Sequence, residues 1–91
     1  MNVYGIYDQV AKEYLGGLQC HAHDGVATRT FGDVASTSGT LVNLHPHDFS
    51  LHLLGILTSS GLEPLADGPV VVITGRQWLD AQESSPSHNA S

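Results

Sequence analysis

The stretch His45-Pro46-His47-Asp48-Phe49-Ser50-Leu51-His52-Leu53-Leu54-Gly55 indicates where the core of this 91-residue chain lies. Pro46 and Asp48 predict that it opens as a turn, because proline fixes φ and an aspartate side chain can bond nearby backbone amides. The apolar residues that follow recur with a period of two, which is typical of one face of a strand over residues 49–57: Phe49, Leu51, Leu53 and Leu57. Ser50 and His52 fall on the opposite face of this strand.

Two further segments have strong strand character, Val3–Tyr7 and the β-branched run Val70–Thr74. Val10–Leu15 fits either a hairpin strand or one helical turn, and the glycine pair that follows favours the hairpin. The remaining candidate strands are short: Glu13–Leu15, its continuation Leu18–His23, and the edge piece Leu62–Leu65, which contains a proline.

One helix is predicted from Gly25 to Ala35, with Asp24 as its N-cap and with Phe31 in its apolar stripe. Residues 76–82 are predicted to add one or two helical turns that point Trp78 inward. The expected fold is α+β: an antiparallel sheet of three to five short strands with one helix packed on one face. Residues 1–83 would form one domain, and the polar segment 84–91 is predicted to be a disordered tail.

Charge limits the classes of partner. The formal net charge is −6, and the only lysine and arginine residues are Lys12, Arg29 and Arg76. Phosphate contacts by such residues supply most nucleic-acid affinity, so three scattered cations favour a protein partner, and they are the candidate contacts if single-stranded DNA is bound. No run reaches the ~18 apolar residues that a membrane-spanning helix needs, and the N-terminus does not resemble a signal peptide. A cytosolic protein without a membrane partner is expected, and self-association stays open.

Six histidines raise the question of a metal site. The pairs His21/His23 and His45/His47 have strand spacing for two imidazole ligands, but the single Cys20 cannot complete a structural zinc set of the usual kind. We expect no metal and no cofactor, and we expect Cys20 to be half-buried and unreactive. The carboxylates are better explained as caps and turn residues, and no serine lies in a nucleophile elbow, so the chain is not expected to be an enzyme.

The aromatic residues have two interpretations. They can form the core, which is the more frequent role in so small a domain, or they can form a stacking platform for single-stranded DNA. The residues concerned are Tyr4, Tyr7, Tyr14, Phe31, Phe49 and Trp78.

Four motifs together resemble a known family. They are YxIYDxVA from Tyr4 to Ala11, DGxAxRxFGD from Asp24 to Asp33, HPxDFxLxxLG from His45 to Gly55, and GxxP from Gly61 to Pro64. In this order they resemble the small nonstructural protein of gokushoviruses and related Microviridae, which are bacteriophages with single-stranded DNA genomes.

The resemblance implies a phage accessory protein that is made in the host bacterial cytoplasm. In that family the protein is often described as DNA-binding or as acting in viral DNA replication. The expected function is therefore regulation of genome replication through contacts with a phage or host replication protein. The alternative is direct binding of single-stranded DNA, or a minor virion component that touches the genome. The resemblance implies no active-site residues.

Overall fold

The computed structural model describes residues 1–83, so the predicted disordered tail, residues 84–91, lies outside the described residues. The elements, in chain order, are β1 (Asn2–Asp8), β2 (Glu13–Tyr14), β3 (Gln19–His21), α1 (Asp24–Ser36), α2 (Leu41–Leu44), a 3₁₀ turn (Pro46–Asp48), β4 (Phe49–Thr58), β5 (Gly61–Pro64), β6 (Val70–Thr74) and α3 (Gly75–Glu83).

A single antiparallel sheet organises the molecule around β1 and β4, which pair along almost their whole length. The outer edge of β1 pairs with β2 near its end and with β3 near its start. The outer edge of β4 pairs in the same way with β6 near its start and with β5 near its end. The six strands therefore occupy only four positions across the sheet.

The helices lie on one face of this sheet and enclose the core. Phe31 in the middle of α1 is fully buried, and it belongs to one apolar cluster with Tyr4 of β1 and with Phe49 and Leu51 of β4. The predicted contact of the central strand with the stripe of α1 is thus confirmed. Trp78 of α3 packs against the edge of the same cluster.

Local hydrogen bonds explain why the two other helices begin where they do. At α2, the Thr40 hydroxyl accepts a hydrogen bond from the Asn43 amide at 3.1 Å. At α3, the Gln77 amide donates to the Thr74 hydroxyl at 3.0 Å, and the Thr74 amide donates to the Gln77 side chain at 2.9 Å. This reciprocal pair is a capping box, and it turns the end of β6 directly into a helix.

The predicted architecture of three to five strands with one helix is wrong: within residues 1–83 the sheet has six strands, and three helices accompany it. Each outer position of the sheet is divided into two strands by a glycine-containing turn. Gly17 has φ +85° between β2 and β3, and Gly68 has φ +83° between β5 and β6. The helix count was too low because α2 is only four residues long and because the predicted one or two turns at residues 76–82 form a nine-residue helix.

Two further expectations are corrected. A bulge at Leu54, opposite the step from Val3 to Tyr4, shifts the register of β4 against β1. Beyond it, Leu57 faces the side opposite to Leu53, so it does not share the core face of Phe49 and Leu51.

Asp24 lies inside α1 and does not cap it; its carboxylate instead accepts a hydrogen bond from the Tyr4 hydroxyl at 2.5 Å.

Candidate functional site

The second face of the sheet, on the side away from the three helices, is the candidate site, and we call it the open face. Pairing register assigns the side chains that belong to it, because directly paired residues point to the same side. Met1 joins them because it exchanges backbone hydrogen bonds with Leu57. Leu18 and Leu54 join them because both side chains lie over Gly5 on this side. The open face consists of Met1, Val3, Gly5, Tyr7, Tyr14, Leu18, Cys20, Ser50, His52, Leu54, Gly55, Leu57, Leu62, Pro64, Val71 and Thr74.

Three hydrogen-bonded side chains and the ring of Tyr7 form a cluster at the centre of the open face. The Tyr14 hydroxyl lies 2.9 Å from His52 Nδ1, and the Ser50 hydroxyl lies 2.8 Å from His52 Nε2. Which partner donates in each bond depends on the imidazole tautomer. The Tyr7 ring stacks on the His52 ring at 5.1 Å between centroids, and it meets Tyr14 edge to face at 5.0 Å. Both polar ends of His52 are therefore satisfied within the sheet.

Burial changes the acid–base properties of this cluster. Removal from water lowers the pKa of His52, because the charged imidazolium loses solvation. Burial also raises the pKa of Tyr14, and the neighbouring Tyr7 adds to that increase. Both residues are thus held in their neutral forms, which keeps formal charge off the centre of the open face near neutral pH.

The Ser50–His52 contact has the separation of a nucleophile and its base, but its surroundings do not support that chemistry. Ser50 is only 1 % exposed, so its hydroxyl is closed to a substrate. Its hydroxyl and the Tyr14 hydroxyl instead fix the orientation of the His52 ring. The cluster is best explained as an aromatic surface in which the polar groups of Tyr14, Ser50 and His52 are already paired.

Gly5 allows the side chains of the open face to close over the sheet. A β-carbon at this position would lie 2.9 Å from Tyr14 Cδ1 and 3.1 Å from both Leu18 Cδ2 and Leu54 Cδ1. Three apolar side chains from three different segments therefore converge above one glycine. Their convergence makes this part of the surface continuous.

No aspartate, glutamate, lysine or arginine side chain occupies any open-face position within residues 1–83. The nine acidic residues and the three lysine and arginine residues lie in the helices, in the turns and on the helix side of the sheet. Several apolar residues of the open face remain about half exposed, including Leu57, Leu62 and Val71. Antiparallel sheets that face water usually carry polar residues at these alternate positions, so this pattern is typical of an interaction surface.

The three candidate cations lie on three different elements. Lys12 lies in the turn between β1 and β2, Arg29 on the exposed side of α1, and Arg76 in the first turn of α3. None of them belongs to the open face. The predicted DNA contacts therefore lie on three separate elements and not on the surface that carries the exposed rings.

The six predicted aromatic residues divide between the two interpretations. Tyr4, Phe31 and Phe49 are buried in the core. Tyr7 and Tyr14 lie on the open face with His52, a residue that the sequence interpretation had not grouped with them.

Trp78 lines a shallow groove between α1 and α3, of about 390 Å³, together with Arg29. The groove lies on the helix side of the sheet. It carries both polar and charged side chains, and it has no group of residues with a recognisable chemical role.

The histidine pairs are not brought together. His21 Nε2 lies 3.0 Å from the Gln19 side-chain oxygen, and its ring contacts Tyr4. His23, His45 and His47 are exposed. Within residues 1–83 no group of three or more histidine, cysteine, aspartate or glutamate residues is arranged to hold a metal ion. That no metal is needed stays a prediction. Cys20, expected to be half-buried, is exposed.

The comparison with known protein families adds an identification. A family model described as Phage ORF5 protein matches residues 1–78. The chain belongs to this family. No curated protein and no solved structure matches the chain significantly. Membership in the family assigns the chain to bacteriophages, and the match covers the whole open face. None of the helices within residues 1–83 has the length and apolar character required to cross a membrane.

Proposed function

We propose that this member of the Phage ORF5 family is an accessory protein of genome replication in single-stranded DNA phages of the gokushovirus type. In this proposal it acts in the host cytoplasm by binding a phage or host replication protein through the open face. The phage assignment comes from the family, and the finer type is suggested by the motifs from Tyr4 to Pro64. The observation that carries the binding mode is the uncharged, apolar open face of an otherwise acidic protein.

The chemistry of the open face defines the partner surface that it fits. The polar atoms of Tyr14, Ser50 and His52 already pair with one another, so they require no hydrogen-bond partners from outside. What this surface can offer a partner is apolar area and the faces of its aromatic rings. A complementary partner would present a flat apolar or aromatic patch, with any basic residues at the rim, where they would meet the acidic periphery.

Binding to the purified replication initiator of the same phage, and to host replication proteins, tests this proposal. Leu62→Lys places a charge on the open face, and Leu41→Lys places the same charge on α2, on the helix side. The two leucines are 53 % and 55 % exposed, so the variants match in chemistry and exposure. We expect Leu62→Lys to weaken binding at least about tenfold and Leu41→Lys to leave it unchanged. Equal effects, or no binding by wild type to any replication protein, would contradict the proposal.

A genomic observation tests the phage type separately. The gene is expected to lie beside genes for a capsid protein and a rolling-circle replication initiator. A different neighbourhood would contradict the gokushovirus assignment and would leave family membership intact.

Direct binding of single-stranded DNA is the second candidate, and the exposed rings of Tyr7, Tyr14 and His52 favour it. Against it stand the net charge of −6 and the separation of Lys12 from the two arginines. Three phosphate contacts would give a salt slope of only about −2, at roughly −0.7 per contact. Fluorescence anisotropy of a labelled oligonucleotide across a salt series is expected to show weak or undetectable binding at physiological salt. Tight binding with a steep slope would place this candidate first.

A further inference from the structure

The open face is an unpartnered sheet surface, and the shape and charge of the molecule indicate what covers it when no replication protein is bound. We infer that two copies of this chain pack open face against open face, with their sheets stacked about a two-fold axis. This inference shares its surface with the proposed function but does not depend on it.

Charge is the first reason for choosing a second copy as the occupant. Two molecules that each carry a net charge of −6 repel one another, so they associate most easily where neither presents a charge. Apart from the α-ammonium group of Met1 at its rim, the open face is such a surface within residues 1–83. Stacking it on itself keeps the acidic residues at the periphery and in water, where their repulsion is screened by salt.

Hydrogen bonding is the second reason. Burying a polar group without a partner is costly, but the Tyr14, Ser50 and His52 groups are already paired within one copy. No buried side-chain nitrogen or oxygen within residues 1–83 lacks a hydrogen-bond partner. A second open face, which likewise offers mainly apolar atoms, therefore meets polar groups that are already paired at Tyr14, Ser50 and His52.

Shape and area are the third reason. Two sheets with the same twist pack face to face with their strands about 30° apart and about 10 Å between the layers. The open face is four strand positions wide, at about 4.8 Å per strand, and about seven residues long, at about 3.4 Å per residue. Its outline therefore encloses about 450 Å² per copy. Two such faces amount to about 900 Å², close to the lower limit of about 1,000 Å² for a specific interface. The dimer is thus expected to be weak and concentration-dependent, which leaves the face accessible to a stronger partner.

Two adjacent residues of β4 provide a matched test. Leu57 is 44 % exposed and points to the open face, whereas Ile56 is 43 % exposed and points to the helix side, where it pairs with Asn2. Sedimentation velocity of the purified full chain, from low micromolar to millimolar concentration, should show a monomer–dimer equilibrium. Leu57→Lys should raise the dissociation constant at least about tenfold, because two-fold symmetry places two lysines in one interface, and Ile56→Lys should leave it unchanged.

A second measurement locates the contact without a substitution. In a dilution series followed by two-dimensional NMR, the amide signals of β1 and β4 around Tyr7 and His52 should shift, and those of the exposed side of α1 should not. Circular dichroism verifies that both variants are folded, and the pair Val71→Lys and Leu41→Lys replaces them if either is not.

Wild type that stays monomeric over the whole range, or a dimer that Ile56→Lys and Leu57→Lys disrupt equally, would overturn the inference. Because this experiment uses the chain alone, such a result would not affect binding to a replication protein. Conversely, a dimer that forms while no replication protein binds would overturn the proposed function only.

Discussion

Replacing Gly75 by alanine tests how α3 is joined to the turn that precedes β4. Gly75 is buried, and a β-carbon on it would overlap the carbonyl oxygen of Pro46 and lie 3.0 Å from the carbonyl oxygen of Phe49. Both obstacles are backbone atoms, so no side-chain rotation relieves the contact. Either α3 or the 3₁₀ turn must move, and the capping box at Thr74 moves with it.

Two opposing effects determine the magnitude for Gly75→Ala. Alanine favours a helix over glycine by up to ~1 kcal/mol, whereas forcing an extra carbon into a packed site costs about 1–3 kcal/mol or more. With backbone on the opposing side we expect the upper part of that range, and hence a net loss of about 2 kcal/mol. At about 4–8 °C per kcal/mol for a domain of this size, the melting temperature should fall by about 8–16 °C.

Urea denaturation and thermal melting followed by circular dichroism measure this loss. Gly16→Ala is the matched control, because a β-carbon there would have no neighbour within 4 Å and the residue does not have a positive φ. It should be neutral or stabilise by up to about 1 kcal/mol. If Gly75→Ala melts at or above wild type, α3 does not pack against the turn in the way described.

Three further predictions concern the core, pH and metal ions. Phe31→Ala and Phe49→Ala should each cost about 3–5 kcal/mol in urea denaturation, since both rings are buried, and wild-type melting by both would contradict the helix-on-sheet core. Burial lowers the pKa of His52 in the folded state, so the unfolded chain binds the proton first as pH falls below about 6.5, and stability should decrease there. His52→Gln should flatten that pH dependence in thermal melts, and an unchanged dependence would refute the assignment. Dialysis against a chelator should leave circular dichroism and melting temperature unchanged; a loss restored by zinc would revive the ligand hypothesis for His21, His23, His45 and His47.

Much of the fold could be predicted from the sequence where one local pattern dominates. The β-branched run Val70–Thr74 and the period-two leucines after Phe49 form strands, and the stripe around Phe31 forms the predicted helix. Each of these segments buries apolar side chains on one face, and the spacing of those residues can be read directly from the sequence. The number of elements was less predictable, because short capped helices and interrupted edge strands depend on single hydrogen bonds and single backbone angles.

The bulge at Leu54 shows a different limit of prediction from the sequence. Leu51, Leu53 and Leu57 all occupy odd-numbered positions, so the alternation of side chains along a strand would assign all three to one face. One extra residue in β4 moves Leu57 to the open face, and nothing in the local sequence marks that residue. A register shift of this kind follows from pairing with β1, and therefore from tertiary structure.

The open face was missed for a related reason. Its central cluster joins Tyr7, Tyr14, Ser50 and His52 from three strands, and the contacts appear only when the pairing of those strands is known. One signal was available in the sequence: the alternate positions of β1, Val3 and Tyr7, are as apolar as the core positions Tyr4 and Ile6. A strand that is apolar on both sides is expected to be covered on both sides.

The placement of charge, more than its total, distinguishes the functional candidates. A single-stranded DNA platform needs ring faces and cations on the same surface, because stacking orients the bases while phosphate contacts supply the long-range attraction. Here Tyr7 and Tyr14 lie on the open face, whereas Arg29 lies on the helix side of the sheet and Arg76 in α3. Because the aromatic rings and the cations lie on different surfaces, stacking and phosphate contacts cannot act together on one DNA strand. The surface that carries the rings is instead neutral, and an apolar protein partner can cover it without desolvating a charge.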